Sequence, residues 1–303
     1  MCGIVGYVGT KNIPGRAHFA LDVVLEGLRR LEYRGYDSAG IAVLDEGKIS
    51  FRKKAGKVAA LDEVIAADPL PQAVVGIGHT RWATHGGPTD ANAHPHVVDG
   101  GKLAVVHNGI IENFAELKTE LAEKGYTFKS ETDTEVAATL LSDFMHGAGE
   151  GDLTEAMRLT CNRLEGAFTL LALHADFPDR IVAARRNSPL VIGLGEGENF
   201  LGSDVSGFID YTKNAVEMAN DQIVTITATS YDIIDFAGNK AQGKPFKVEW
   251  DAAAAEKGGF SSFMEKEIHD QPTAVRDTLM GRFDENGKLT LDELHIDETV
   301  LRS

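Results

Sequence analysis

Cysteine and long apolar runs are scarce in this 303-residue chain. It has only two cysteines, Cys2 and Cys161, so a disulfide framework is not indicated and a reducing cytoplasm fits best. No apolar run approaches the roughly 18 residues that indicate a membrane span. The first residues also lack the basic and apolar regions of an export signal. We therefore expect a cytoplasmic protein with no membrane partner.

Basic residues are also in the minority. The 30 Lys and Arg residues face 46 Asp and Glu residues, which gives a formal net charge of −16. Because such a field repels polyphosphates, we expect no nucleic acid partner. The remaining composition, 43% hydrophobic and 25% charged, is that of an ordinary globular protein.

Hydrophobic periodicity predicts many strands and a few amphipathic helices. The chain begins with a strand over 3–9, which a helix over 17–31 follows. Further strands are predicted at 39–45, 48–54, 74–80, 103–107, 167–174, 180–185, 190–194, 222–227 and 231–236. Further helices are predicted at 113–124, 134–146 and 153–164. This order favours packed sheets covered by helices.

The character of the chain changes after about residue 245. Residues 252–259 are predicted to be a connector, 263–268 a helix, and 281–303 a polar stretch with a turn at Asn286-Gly287. Too few apolar residues remain there for a second core. We therefore expect one domain over 1–245 and a C-terminal arm over 246–303.

Cys2 becomes the first residue of the chain once Met1 is removed. An α-amino group titrates near pH 8 and a free thiol at about 8.5. A neutral amine can therefore accept the thiol proton at physiological pH. Taken alone, however, Met-Cys-Gly is a chance tripeptide, and a cysteine without a catalytic role is the simpler interpretation.

Four further segments carry uncommon polar residues at the ends of predicted strands, where sites tend to gather. They are LEYRGYDSAG at 31–40, GHTRWATHG at 78–86, HNGIIEN at 107–113 and SETDTE at 130–135. Together with CGIVG at 2–6, they resemble the class II glutamine amidotransferases, which are N-terminal-nucleophile hydrolases. The sequences of these motifs are most similar to those of the branch that makes amino sugars. The resemblance implies an α+β fold, a four-layer αββα sandwich with two packed antiparallel sheets between helical layers.

The resemblance also implies a reaction. Cys2 would attack the side-chain amide of L-glutamine, release ammonia and form a γ-glutamyl thioester that water converts to glutamate. Asn108 and Gly109 match the oxyanion hole of the family, with one side-chain and one main-chain N–H. Loss of one such donor typically costs about 3–4 kcal/mol of barrier. No cofactor and no metal is implied.

Substrate-binding residues carry over by motif position. Arg81 would bind the α-carboxylate of glutamine as a forked donor, and Asp133 would pair with the α-ammonium group. Five residues would have auxiliary roles. Thr84 and His85 would add hydrogen bonds to the carboxylate, and Trp82 would cover the site with its aromatic ring. Arg34 and Gly35 would support the pocket. From the residues alone, Arg81 could instead be a surface cation, and Asp133 could be the N-cap of a helix that begins at Thr134.

Three other patterns receive structural interpretations. The histidines at 79, 85, 94, 96 and 107 lack an accompanying cysteine or Glu-x-x-His signature, so structural hydrogen bonding is favoured over a metal site. The glycine-rich stretch at 193–197 predicts a hairpin turn, because no helix follows to receive a phosphate. Cys161 lies at helical spacing from Leu153 and Met157, which predicts a core position.

In the resembled branch, two sugar-phosphate isomerase domains follow and use the ammonia to aminate fructose 6-phosphate. This chain stops at Ser303. We therefore expect it to be the glutaminase portion of a longer homodimeric enzyme that reaches fructose 6-phosphate only through those absent domains. Two alternatives stay open. One is the glutaminase domain of another class II enzyme, such as amidophosphoribosyltransferase or asparagine synthetase. The other is a non-catalytic module that binds an amino acid and regulates a partner.

Overall fold

Two antiparallel β-sheets form the centre of the protein. The computed structural model describes residues 2–10, 19–249, 260 and 263–279. Contacts divide the chain into two compact units, Met1–Asp251 and Ala252–Ser303. Both sheets lie in the first unit, whose fifteen strands are numbered here in chain order.

One sheet has eight strands in the order β15-β11-β9-β10-β1-β4-β2-β3. Its strands are β1 Gly3–Gly9, β2 Ser38–Asp45, β3 Lys48–Ala55, β4 Val75–Arg81, β9 Val191–Leu194, β10 Glu198–Gly202, β11 Asn214–Glu217 and β15 Lys244–Lys247. The first strand lies in the interior of this sheet, between β10 and β4. The N-terminal segment is thereby fixed by hydrogen bonds on both sides.

The second sheet has seven strands in the order β14-β13-β12-β8-β7-β6-β5. Its strands are β5 His96–Val98, β6 Leu103–Ile111, β7 Gly166–His174, β8 Arg180–Arg186, β12 Gln222–Thr227, β13 Tyr231–Asp235 and β14 Lys240–Ala241. The long antiparallel pair of β6 and β7 runs from Leu103↔His174 to Ile111↔Gly166.

Helices cover the outer face of each sheet. α1 Ala20–Leu31 and α2 Val58–Ala67 pack against the eight-stranded sheet in one apolar cluster. α3 Phe114–Glu123, α4 Asp133–His146 and α5 Leu153–Arg163 pack against the seven-stranded sheet in another. A third cluster joins the inner faces of the two sheets and includes Ile4, Ile77, Val106 and Leu171. The predicted four-layer αββα sandwich is confirmed.

Most predicted elements of the first unit are present with boundaries shifted by one to four residues, as Leu103–Ile111 is for the strand expected at 103–107. The predicted helix 17–31 begins at Ala20, and its residues 17 and 18 lie outside the described residues. The expected hairpin at 193–197 is the connection between β9 and β10, and Cys161 is fully buried. Helix α2 was not predicted, nor were the short strands β5, β10, β11, β14 and β15.

The second unit contains one described helix, α6, at Phe263–Leu279. It extends well beyond the predicted helix over 263–268. The ring of Phe260 stacks on that of His269 within this unit, with 4.9 Å between centroids. The predicted connector at 252–259 and turn at Asn286-Gly287 lie outside the described residues. No described helix combines the length and the apolar character that a membrane crossing requires.

Candidate active site

Cys2 lies at the start of β1, where the register of the sheet brings it beside β4. Gly3 pairs with Thr80, so the next step of the ladder sets Cys2 against Arg81. The backbone N–H of Trp82 donates to Cys2 Sγ at 3.2 Å. Burial raises the pKa of the Cys2 thiol, although this hydrogen bond and the charge of Arg81 act in the opposite direction. The thiol is therefore protonated at neutral pH, and its attack on a substrate would need a base.

Asn108 and Gly109 approach the same point from β6 of the other sheet. Asn108 Nδ2 donates to the backbone carbonyl oxygen of Cys2 at 3.0 Å. Gly109 has φ +117°, and a Cβ atom there would lie 2.0 Å from the carbonyl oxygen of Ala167. Position 109 therefore requires glycine for two reasons, since a side chain would meet both an unfavourable backbone angle and a neighbouring strand.

Arg81 is a buried cation at the end of β4. Its residue exposure is only 3%, so the interpretation as a surface cation is wrong. The guanidinium donates to Gly87 O at 3.1 Å, to Gly86 O at 3.2 Å and to His85 O. In the described part of the chain, no carboxylate lies within salt-bridge distance of it. Arg81 thus holds the loop after β4 by three backbone contacts and keeps a charge that no acid neutralises at close range.

Asp133 is a buried anion at the start of α4. The N-cap of that helix is Thr132, whose Oγ1 accepts from the backbone N–H of Glu135 at 3.2 Å, so the N-cap interpretation of Asp133 is wrong. Asp133 Oδ2 accepts from the backbone N–H of Ile111 at 2.9 Å. A carboxylate in the first turn is stabilised by the positive end of the helix dipole. Within the described part of the chain, no lysine or arginine lies within salt-bridge distance of this carboxylate.

A small, partly open cavity connects these groups. It is lined by Cys2, His79, Arg81, Trp82, Thr84, His94, His107, Gly109, Thr132, Asp133 and Thr134. A thiol, a buried cation and a buried anion therefore face one small space. Opposite fixed charges that face one cavity complement a zwitterion such as a free amino acid.

The other predicted site residues divide into two groups. Trp82 is half-exposed at the mouth of the cavity, with the Tyr36 ring edge-on at 5.4 Å, and Thr84 lines the wall. His85, Arg34 and Gly35 are absent from that lining among the described residues. His85 Nδ1 lies 3.9 Å from Asp133 Oδ2.

Arg34 and Gly35 make their contacts outside the cavity lining. Arg34 Nη2 donates to Asp204 Oδ2 at 2.6 Å. A Cβ atom on Gly35 would lie 2.7 Å from the backbone carbon of Arg81, so this glycine allows the chain to pass close behind β4. Gly35 thus lies against the backbone of Arg81, whereas the side chain of Arg34 pairs with Asp204.

Three buried histidines of the cavity wall were not assigned to the site from sequence. His94 Nε2 and His107 Nδ1 lie 2.8 and 2.9 Å from the hydroxyl of Thr134, and His79 Nε2 lies 3.0 Å from Asn108 Oδ1. Burial lowers the pKa of all three, to about 3 for His79. They are therefore neutral hydrogen-bonding groups. In the part of the chain that the structure describes, no group of three or more histidine, cysteine, aspartate or glutamate side chains is arranged to hold a metal.

Asp37 is another residue near the site to which the sequence analysis gave no role. Its Oδ2 accepts from the backbone N–H of Ala83 at 2.7 Å, and its own N–H donates to Arg81 O at 3.0 Å. These two bonds fix the backbone on either side of Trp82, whose N–H contacts the sulfur. The signal available was its place in the 31–40 motif.

The chain is similar to known glutamine amidotransferases. Residues 79–210 match the family model described as a glutamine amidotransferase domain. The chain contains a glutamine amidotransferase domain. The chain is 77% identical over 303 residues to the glutamine–fructose-6-phosphate aminotransferase (isomerizing) of Corynebacterium diphtheriae. The aligned region covers 100% of this chain and 48% of that relative. The relative of the same name from Streptomyces coelicolor is 59% identical over 302 residues, with the same coverage.

A solved structure shows the same architecture. It is the glutamine phosphoribosylpyrophosphate amidotransferase from B. subtilis complexed with ADP and GMP, with a TM-score of 0.64 at 25% identity over 79% of this chain and 50% of that one. The much higher identity to the aminotransferases separates this amidotransferase domain from the phosphoribosyl branch. The chain spans about half the length of the curated relatives it matches, 48% in both cases quoted.

Proposed function

We propose that this amidotransferase domain hydrolyses L-glutamine to L-glutamate and ammonia with Cys2 as the nucleophile. Glutamine hydrolysis that supplies ammonia is the general function of the class. The observation that carries the proposal for these residues is the single cavity that joins the Cys2 sulfur, the Arg81 cation and the Asp133 anion.

The charges support a defined orientation of the substrate. The Arg81 guanidinium would bind the α-carboxylate, with Thr84 as an additional hydrogen-bonding group on the wall. Asp133 would bind the α-ammonium group, and His85 Nδ1 lies 3.9 Å from its Oδ2 atom. The side-chain amide would then extend towards Cys2 beneath the Trp82 ring.

The proposed chemistry begins with proton transfer from the Cys2 thiol to the α-amino group that removal of Met1 exposes. This step is needed because burial keeps the thiol protonated. Sulfur attacks the amide carbon, and the Asn108 Nδ2 and Gly109 N–H groups stabilise the oxyanion. The amine returns the proton to the leaving nitrogen, the C–N bond breaks, and ammonia departs. Water then cleaves the thioester and gives glutamate.

Glutamate release from purified protein with Met1 removed tests the proposal. We expect glutamine-dependent glutamate formation in the wild type and a loss of at least about 10³-fold in Cys2→Ala, as for removal of other covalent nucleophiles. Cys161→Ala is the matched control, because that thiol is fully buried in the α5 core. Activity of Cys2→Ala equal to that of the wild type would refute the assignment of Cys2. No glutamate formation by the processed wild type would favour a binding module.

The function of the whole protein is a wider proposal. We propose that residues 1–245 form the glutaminase domain and 246–303 an arm, within a homodimeric cytoplasmic enzyme that aminates fructose 6-phosphate. Support comes from the names of the relatives, of whose length this chain matches 48%. Both cysteines are free thiols, which suits a reducing compartment.

A chimera tests that proposal. This chain joined to the remaining half of the C. diphtheriae relative should form glucosamine 6-phosphate from glutamine and fructose 6-phosphate. The same chimera with Cys2→Ala should form product only when ammonia is supplied. Glutamine-dependent synthesis that fails in the first chimera while the ammonia-dependent reaction persists would contradict the proposed coupling.

A further inference from the structure

The side chain of Asn108 is held from two sides. Its Nδ2 donates to Cys2 O at 3.0 Å, and its Oδ1 lies 3.0 Å from His79 Nε2. A carbonyl oxygen can only accept a hydrogen bond, so the group that faces Cys2 O must be the NH₂ of the amide. The Oδ1 atom must then face His79, and His79 Nε2 must carry a proton to donate to it.

The same hydrogen bonds determine the charge and the tautomer of the His79 ring. The ring is fully buried, and burial lowers its pKa to about 3, so it is neutral at physiological pH. A neutral imidazole has a single N–H. With that proton on Nε2, Nδ1 is bare, and His79 Nδ1 makes no hydrogen bond to the residues that the structure describes. One tautomer therefore satisfies both neighbours.

The imidazole ring is itself clamped in place. The His94 ring packs against it with 4.2 Å between centroids. His94 is in turn held by the Thr134 hydroxyl in the first turn of α4, at 2.8 Å. A ring held in this way gives Asn108 a donor at a fixed position.

We propose that His79 is a positioning residue for the oxyanion hole, which fixes the Asn108 amide through an Nε2–H hydrogen bond to Oδ1. One N–H of Asn108 Nδ2 is then held by Cys2 O, and the second is directed to the position where the oxyanion forms. The inference rests on the proposed glutamine hydrolysis for its catalytic consequence. It differs from a role in substrate binding, because His79 acts through Asn108.

Steady-state kinetics of glutamate release compare His79→Leu with His79→Gln, whose amide keeps an N–H donor. For His79→Leu we expect kcat to fall on the order of 10²-fold, the effect of a lost oxyanion donor, with KM within about threefold of the wild type. His79→Gln should recover at least about tenfold of that loss. In an Asn108→Ala background, His79→Leu should lower kcat by less than about threefold, because the two changes remove one function.

His174→Leu is the matched control for loss of a buried imidazole. It lies at the far end of the β6–β7 ladder, opposite Leu103 and five residue pairs from Asn108. Its kcat should stay near that of the wild type. Full kcat in a folded His79→Leu protein, or a loss that simply multiplies with that of Asn108→Ala, would overturn the inference.

Nitrogen NMR of the wild type tests the hydrogen bond independently of activity and of whether the variants fold. The His79 resonances should show a neutral ring protonated on Nε2. A ring protonated on Nδ1 would overturn the inference. If processed wild-type protein released no glutamate, the proposed function would fail, whereas this measurement would still decide the His79–Asn108 contact.

Discussion

Asp133→Asn separates the charge of the proposed ammonium site from its shape. The asparagine has the same size, and its amide oxygen can still accept from the backbone N–H of Ile111, which Asp133 Oδ2 now accepts at 2.9 Å. What is lost is one negative charge in a side chain with 5% exposure. Removal of one partner from a buried charge pair typically costs about 2–5 kcal/mol.

We take about 3 kcal/mol for this site, which corresponds to a fall in kcat/KM of about 150-fold. The effect on stability should be much smaller. The lost interaction with the α4 dipole contributes about 0.3–1 kcal/mol. Asp143→Asn is the matched control, because Asp143 lies in the same helix and pairs with Lys124 at the surface at 2.6 Å. Such pairs contribute about 0–1 kcal/mol.

The assay is glutamate release as a function of glutamine concentration, beside the same measurement with a glutamine analogue that lacks the α-amino group. The wild type should discriminate against the analogue by about the same 150-fold, because the same charge pair is missing. Asp133→Asn should discriminate by less than about fivefold. Equal discrimination by the two proteins would refute the assignment of Asp133 to the ammonium group, even if the variant is less active.

Two further outcomes follow from the geometry. Gly109→Ala should be destabilised by about 1–3 kcal/mol for its backbone angle alone and should lose glutaminase activity. Gly100→Ala, also at positive φ but with no atom within 4 Å of its added Cβ, should show only the backbone part in thermal unfolding and keep its activity. The buried histidines at 79, 94, 96 and 107 have lowered pKa values, so the unfolded chain binds more protons below pH 6.5. Each should reduce stability by up to about 1.4 kcal/mol per pH unit as the pH falls from 6.5 towards the folded pKa, and an unchanged denaturation midpoint between pH 7 and 5 would contradict this.

The long elements could be predicted because their patterns repeat over several turns or pairs. The buried strand Gly3–Gly9 and the helix Leu153–Arg163 are examples. Short edge strands could not be predicted, since His96–Val98 and Lys240–Ala241 contain too few residues for any periodicity. Helix Val58–Ala67 was missed because the residue at its N-cap, Lys57, is not of a type that marks the start of a helix.

The residues of the candidate site could be predicted only as motifs, by resemblance. Sequence spacing does not show that Arg81 contacts three carbonyl groups of the following loop, or that the N-cap position belongs to Thr132. The sequence predicted structural hydrogen bonding by the histidines but did not show that they line the cavity. Which ring faces Asn108 depends on how β4 and β6, from two different sheets, lie against each other.

The site is assembled across three layers of the sandwich. Cys2 and Arg81 belong to the eight-stranded sheet, Asn108 and Gly109 to the seven-stranded sheet, and Asp133 to the helix that covers the latter. Stacked sheets are held about 10 Å apart by the side chains between them. The apolar cluster between the two inner faces therefore determines how far the sulfur lies from the proposed oxyanion donors. Because acyl transfer depends on that distance to within fractions of an ångström, the packing of this cluster and the chemistry of the site cannot vary independently.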